Sequence, residues 1–228
     1  SMPDKLVSNR KIKGLMSGDE LVGIDYRPKD GKLYAVGLQG NLYTLNPNNG
    51  EASFLRKLIA DPSDTTDGNA SFTQIMGDAN LITVNFNPAA DRLRVISNTG
   101  QNLRINVDTG ATITDGTINL ATGSAAVVAG AYTNAFAGTG STKLFSIDQN
   151  SDRIYLQNAN AGTLGNSAAL GADINTNGGG GFDIDPVNNV GFAALKLASG
   201  NYKFFKLNLA NVGTSSDAVF ESHDLNNS

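Results

Sequence analysis

The sequence contains no cysteine, and His223 is its only histidine among 228 residues. Without cysteine the chain has neither disulfides nor thiolate chemistry. A Ser-His-Asp triad or a histidine-ligated zinc site would have to use His223, which lies in a polar C-terminal tail, so we expect neither. The absence of cysteine is consistent with a protein of the bacterial cell envelope.

Charged residues are also scarce, at 17% of the chain, and the formal net charge is -4. Such a chain has no general attraction for nucleic acid or for an anionic membrane. No segment approaches the roughly 20 consecutive apolar residues that cross a bilayer. We therefore expect neither a nucleic-acid partner nor membrane insertion.

The N-terminus, Ser1-Met2-Pro3-Asp4-Lys5, lacks the apolar core of a signal peptide. Serine before methionine is typical of the remnant of a purification tag. We therefore expect an exported protein (periplasmic, surface-bound or secreted) whose signal peptide has been removed.

A short phrase recurs four times along the chain and alternates polar and apolar residues. It reads GIDYRP at Gly23–Pro28, TVNFNP at Thr83–Pro88, GAYTNA at Gly130–Ala135 and GFDIDP at Gly181–Pro186. Glycine- and asparagine-rich turns separate it from further β-branched and aromatic runs, so each unit reads as four strands joined by tight turns. Units of about 45–60 residues with four antiparallel strands have the size of propeller blades.

The sequence therefore predicts one all-β domain over residues 1–228, a propeller-like ring of four or five four-stranded antiparallel blades. The repeat units are approximately 21–58, 81–115, 126–170 and 180–222. We expect the innermost strands at Leu21–Tyr26, Ile82–Asn87, Val128–Thr133 and Phe182–Asp185. Lys11–Leu15 is expected to add a strand to the last blade and close the ring. A β-sandwich or an open stack of hairpins is the alternative architecture.

Several of these segments resemble an uncharacterised bacterial family, domain of unknown function 4394. The resemblance is carried by FNPAADRLRVISNTGQNLRIN (Phe86–Asn106), LVGIDYRP (Leu21–Pro28), AYTNAF (Ala131–Phe136) and LQNANAGTLG (Leu156–Gly165). It implies a propeller-like fold in mostly exported or surface proteins, and it implies no activity.

The polar positions of the recurring phrase are the first candidate site, because four equivalent inner strands would bring them around one axis. They are Asp25, Arg27, Asn85, Asn87, Tyr132, Asn134, Asp183 and Asp185. One interpretation is a polar ring in which these groups satisfy one another's hydrogen bonds. The other is a channel site for a small polar ligand or a hard cation such as Ca²⁺, which prefers carboxylate and amide oxygens.

A second candidate is the concentration of charge in the second unit, at Asp91, Arg92, Arg94 and Arg104. These residues predict either a salt-bridge network with a neighbouring blade or a clamp for an anion, since the guanidinium group binds carboxylates with two parallel hydrogen bonds.

Three functions remain open from the sequence. The first is an exported binding module with an unknown protein or glycan partner, and no catalytic residues are assigned to it. The second is a hydrolase or lyase that uses a divalent cation in a carboxylate-lined channel. The third is a purely structural repeat of the cell envelope. No cofactor is predicted, with calcium as the one alternative.

Overall fold

The structure is a computed structural model, and it describes residues 8–64, 70–175 and 178–225. Its strands are β1 (Leu21–Tyr26), β2 (Leu33–Gly37), β3 (Asn41–Asn46), β4 (Glu51–Lys57), β5 (Ile59–Ala60), β6 (Ile82–Asn87), β7 (Arg92–Ser97), β8 (Asn102–Ile105), β9 (Ala111–Thr114), β10 (Val127–Tyr132), β11 (Leu144–Asp148), β12 (Arg153–Gln157), β13 (Leu164–Ala169), β14 (Gly180–Ile184), β15 (Val190–Lys196), β16 (Tyr202–Asn208) and β17 (Val219–Leu225). Two single-turn 3₁₀ helices lie at Ala79–Leu81 and Leu209–Asn211. No helix of the described residues is long and apolar enough to cross a membrane.

The strands form four antiparallel meanders, arranged in a ring as a four-bladed β-propeller, which confirms the predicted fold. Blade 1 is β1–β4, blade 2 is β6–β9, blade 3 is β10–β13 and blade 4 is β14–β17. The first strand of each blade is the innermost: β1 packs on β6, β6 on β10, and β10 on β14. The recurring phrase thus marks the inner strand of every blade.

The inner strands lie within two residues of the predicted bounds. β1 and β6 match them, whereas β10 ends at Tyr132 and β14 ends at Ile184. Asp185 leaves β14 because its side chain accepts a hydrogen bond from the Val187 amide and so begins a turn.

The segment before each of the first three blades adds a short parallel strand to the outermost strand of that blade. Lys13 pairs with Glu51 in blade 1, β5 pairs with β9 in blade 2, and Asn119 pairs with Thr163 in blade 3. The prediction that Lys11–Leu15 completes the last blade was therefore wrong. The Lys13 amide donates to the Gly50 carbonyl at 3.0 Å, and the Ala52 amide donates to the Lys13 carbonyl at 2.8 Å.

A glycine with positive φ makes room for each of these added strands. Gly50, Gly110 and Gly162 have φ of 73°, 82° and 73° and immediately precede or adjoin the outer strand of their blades. A Cβ atom at any of them would collide with backbone atoms of the neighbouring segment. The glycines are required by both the left-handed backbone and the close approach.

Apolar side chains fill the spaces between successive blades. One cluster joins blades 1 and 2, a second joins blades 2 and 3, and a third joins blades 3 and 4. A fourth cluster, around Tyr43, is confined to blade 1 and the N-terminal segment. Among the described residues no core cluster joins blade 4 to blade 1, and we call the space between these two blades the seam.

Candidate functional site

The polar side chains of the inner strands hydrogen-bond to the backbone of the next inner strand. The Asp25 carboxylate accepts from the Phe86 amide at 2.6 Å, and the Asn85 side-chain oxygen accepts from the Tyr132 amide at 2.8 Å. Thr83 follows the same pattern, since its hydroxyl accepts from the Gly130 amide at 2.9 Å. These side chains therefore tie neighbouring blades together near the ring centre.

Two carboxyl groups on inner strands have raised pKa values. Burial raises the pKa of Asp25 to about 7, with a further rise from the Asp183 charge, although the Phe86 and Tyr26 amides oppose it. The pKa of Asp183 is also raised by desolvation, even though its side chain keeps solvent exposure and accepts from the Ile184 amide. In both groups, desolvation favours the protonated form.

Arg27, another inner-strand candidate, pairs with two carboxylates of blade 2. It is 4% exposed and forms paired hydrogen bonds of 2.6–2.7 Å with both Asp91 and Asp108 of blade 2. Hydrogen bonding to Arg27 holds the pKa of Asp91 down at about 2, and Lys29 contributes at 3.0 Å. Arg27 thus joins blade 1 to blade 2 at one end of their interface.

The other inner-strand candidates are dispersed. Asn87 accepts hydrogen bonds from the Ala89 and Ala90 amides, and Asp185 has the corresponding turn role in blade 4. Tyr132 is buried, and its hydroxyl accepts from Arg94 at 3.3 Å. Asn134 exchanges two hydrogen bonds of 3.0 Å with Asn189 of blade 4.

The arginines of blade 2 meet on Asp115, which the sequence did not single out. Arg94 donates to this buried carboxylate at 2.6 Å, and Arg104 donates to both of its oxygens at 2.9 and 3.0 Å. Arg92 lies apart and donates to the backbone carbonyls of Ala90 and Asp91. Of the four predicted residues, Asp91 therefore belongs to the Arg27 cluster, Arg94 and Arg104 belong to the Asp115 cluster, and Arg92 belongs to neither.

The seam leaves apolar side chains of blade 1 exposed. Gly23, Asp25 and Arg27 face blade 2, so Ile24 and Tyr26 project from the opposite side of β1. Their exposed fractions are 49% and 53%. Phe54, at 47%, packs edge-on against Tyr43 on the same side of the sheet. A cleft of about 400 Å³ adjoins them, lined by residues that include Tyr26 and Leu33.

Blade 4 contributes the facing side of the seam. Phe205 and Leu207 pack towards blade 3, so the alternate residues of β16 face away from it. Phe204 stacks on Phe192 with ring centroids 6.0 Å apart. Lys206 pairs with Glu221, which also lies 2.7 Å from His223.

A second cleft, of about 620 Å³ and of mixed polar and apolar lining, lies between blades 2 and 3. Its lining includes Asn87 and Tyr132, two of the predicted site residues, together with side chains of blade 3 such as Lys143 and Gln157.

The family model for a domain of unknown function, DUF4394, matches residues 1–226. The chain belongs to the DUF4394 family. The comparison with curated proteins found no match.

A solved structure similar to this DUF4394 domain supports its fold. A chain of hydrazine synthase from Kuenenia stuttgartiensis is 11% identical, with a TM-score of 0.51, and the match covers 92% of the DUF4394 domain and 53% of that chain. The WD40 domain of coronin from Toxoplasma gondii is 8% identical, with a TM-score of 0.49, and the match covers 91% and 48%. The domain spans about half the length of the solved chains that it matches.

The residues that the sequence reasoning missed lie outside the recurring phrase of the DUF4394 domain. Asp108 and Asp115 belong to turns at opposite ends of β9 and complete the two arginine clusters. The only signal in the sequence was the excess of arginine in the second unit, which requires carboxylate partners when buried. Among the described residues, no three His, Cys, Asp or Glu side chains form a group that could hold a metal ion. Calcium binding in the channel stays a prediction.

Proposed function

We propose that this DUF4394 domain is a binding module whose seam receives an apolar segment of a protein partner. The observation that carries the proposal is the exposure of Ile24, Tyr26 and Phe54 on one face of blade 1. In the other three blade-to-blade spaces, the inward-facing apolar side chains are covered by the neighbouring blade.

Covering these side chains would supply the driving force for binding. Burial of an aliphatic or aromatic side chain contributes about 1.5–3 kcal/mol relative to its exposed state. Contiguous exposed apolar surface with a polar rim is typical of protein interaction sites. The seam has this composition, because Lys32 and Glu51 border its apolar residues in blade 1, and the Lys206–Glu221 pair borders them in blade 4.

A photo-crosslinking amino acid placed at residue 26 tests the proposal in the source bacterium. Crosslinks to one partner protein are expected from Tyr26, and the Ile24→Asp change should abolish them. The matched control is a crosslinker at Val187, which is 89% exposed on a turn of blade 4.

Equal crosslinking from residues 26 and 187 would contradict a seam-specific partner. Crosslinks only between copies of this chain, together with a dimer in sedimentation velocity, would overturn the proposal of a different protein partner. The seam would then bind a second copy of this chain. An adduct to lipid or glycan alone would refute the proposal.

We also propose that the module acts outside the cytoplasm, at the cell envelope. The support is the resemblance to a family of mostly exported proteins. Fractionation of the source bacterium tests it, and recovery of the protein from the cytoplasm alone would overturn it.

A further inference from the structure

The cleft between blades 2 and 3 is separate from the seam and has a different chemistry. Four amide side chains line it, at Asn87, Gln157, Asn158 and Asn166, and the hydroxyls of Thr142 and Thr163 add to its polar part. Its volume of about 620 Å³ lies within the range of sites for small organic ligands. Such a lining offers many hydrogen-bond donors and acceptors in a concave space.

One donor at this cleft lacks a partner within the protein. Gln157 is 4% exposed, and its side-chain oxygen accepts from the Ser146 hydroxyl at 2.6 Å. Its Nε2 atom is buried without a hydrogen-bond partner. Buried polar groups are ordinarily hydrogen-bonded, so an orphaned amide donor beside a cleft points to an acceptor that comes from a ligand.

The charge of the cleft is opposite to that of the whole chain. Lys143 is the one charged residue in the lining, and no carboxylate lines it, although the chain carries a net charge of -4. Lys143 forms no salt bridge with any residue that the structure describes. Its ammonium group therefore remains available to an anionic ligand.

We propose that this cleft binds an acidic sugar, that is, a hydroxyl-rich ligand with a carboxylate group. The Lys143 ammonium pairs with the carboxylate, and the amides and threonine hydroxyls bind the sugar hydroxyls. Leu144 and Leu156 supply apolar contact for the C–H face of the ring. The inference does not depend on the proposed role of the seam.

Titration of ¹⁵N-labelled protein with D-glucuronate, followed by two-dimensional NMR, tests this site. We expect the side-chain amide signals of Gln157 to shift on binding. Because a hydrogen bond to a charged group contributes about 1.5–3 kcal/mol, Lys143→Met should weaken glucuronate binding about tenfold or more. Glucose, which lacks the carboxylate, should bind wild type and Lys143→Met alike.

The control is Lys57→Met, at an exposed lysine on the outer strand of blade 1. It should leave glucuronate affinity unchanged, and melting temperatures establish that all variants fold. Raising the salt concentration should weaken the binding of glucuronate to the wild-type protein, and this test needs no variant. Absence of shifts at Gln157, equal effects of the two lysine changes, or equal affinity of wild type for glucose and glucuronate would overturn the proposal.

Discussion

Raising the pH should destabilise this propeller, chiefly through a carboxyl group on the first inner strand. Burial raises the pKa of Asp25 to about 7, against an ordinary value of 3.8 in water. The folded state therefore favours the protonated form, and the stability that this preference contributes is complete below pH 3.8 and is lost as the pH rises through about 7. At 1.36 kcal/mol per unit, the free energy of unfolding should fall by about 4 kcal/mol, as an upper limit, over this range.

Replacement of Asp25 by asparagine should remove most of this dependence. Asn85 holds the equivalent position in blade 2, and its side-chain oxygen accepts the Tyr132 amide, so an amide is compatible with such a strand. We expect Asp25→Asn to exceed wild type in stability by an amount that grows from pH 5 to pH 8. Asp183, whose pKa is also raised, should add a smaller contribution in the same direction.

Urea unfolding between pH 5 and pH 8, followed by tyrosine fluorescence, measures the effect. His223→Gln is used as the common background, so that the single imidazole does not contribute. Asp217→Asn, which changes an exposed carboxylate on the loop before β17, is the matched control and should keep the wild-type slope. Parallel pH profiles for wild type and Asp25→Asn would refute the reasoning.

Two further predictions concern the contacts between elements. Arg27→Met should lower the free energy of unfolding by about 1–3 kcal/mol, because it leaves Asp91 and Asp108 without their shared partner. Lys29→Met, at an exposed end of the same cluster, should cost less than about 1 kcal/mol. Urea unfolding at pH 7 compares them, and equal losses would contradict the central role of Arg27. Gly50→Ala should lower the melting temperature more than Gly31→Ala does. Both glycines have positive φ, but only at Gly50 would a Cβ atom collide with backbone atoms. Similar decreases in melting temperature would contradict the clash.

The recurring phrase was sufficient to locate the inner strands because it combines a local signal with a repeat. Alternation over six residues predicts a strand, and its fourfold recurrence predicts equivalent positions in four sheets. The turns between strands follow from glycine and asparagine in the same local way. Each of these inferences depends on neighbours in sequence.

Contacts between blades could not be predicted in this way. Arg27 pairs with Asp108 across 81 positions of sequence, and nothing near either residue identifies the other. The N-terminal segment was assigned to the wrong blade for the same reason: two or three residues can pair with any free strand edge, and the choice depends on tertiary geometry. Gln157 became notable only through the hydrogen bond it lacks, which is a property of the packed state.

The parallel strands that precede blades 1, 2 and 3 define where this chain can be divided. Because β5 belongs to the sheet of blade 2, a boundary placed just before β6 would separate a sheet from one of its own strands. The coherent module therefore runs from the connecting segment through the outermost strand that it joins, and not from inner strand to inner strand. Gene duplication or deletion could add or remove a blade. All hydrogen bonds within each sheet would be preserved only if the break fell directly after an outer strand, as between Lys57 and Ile59.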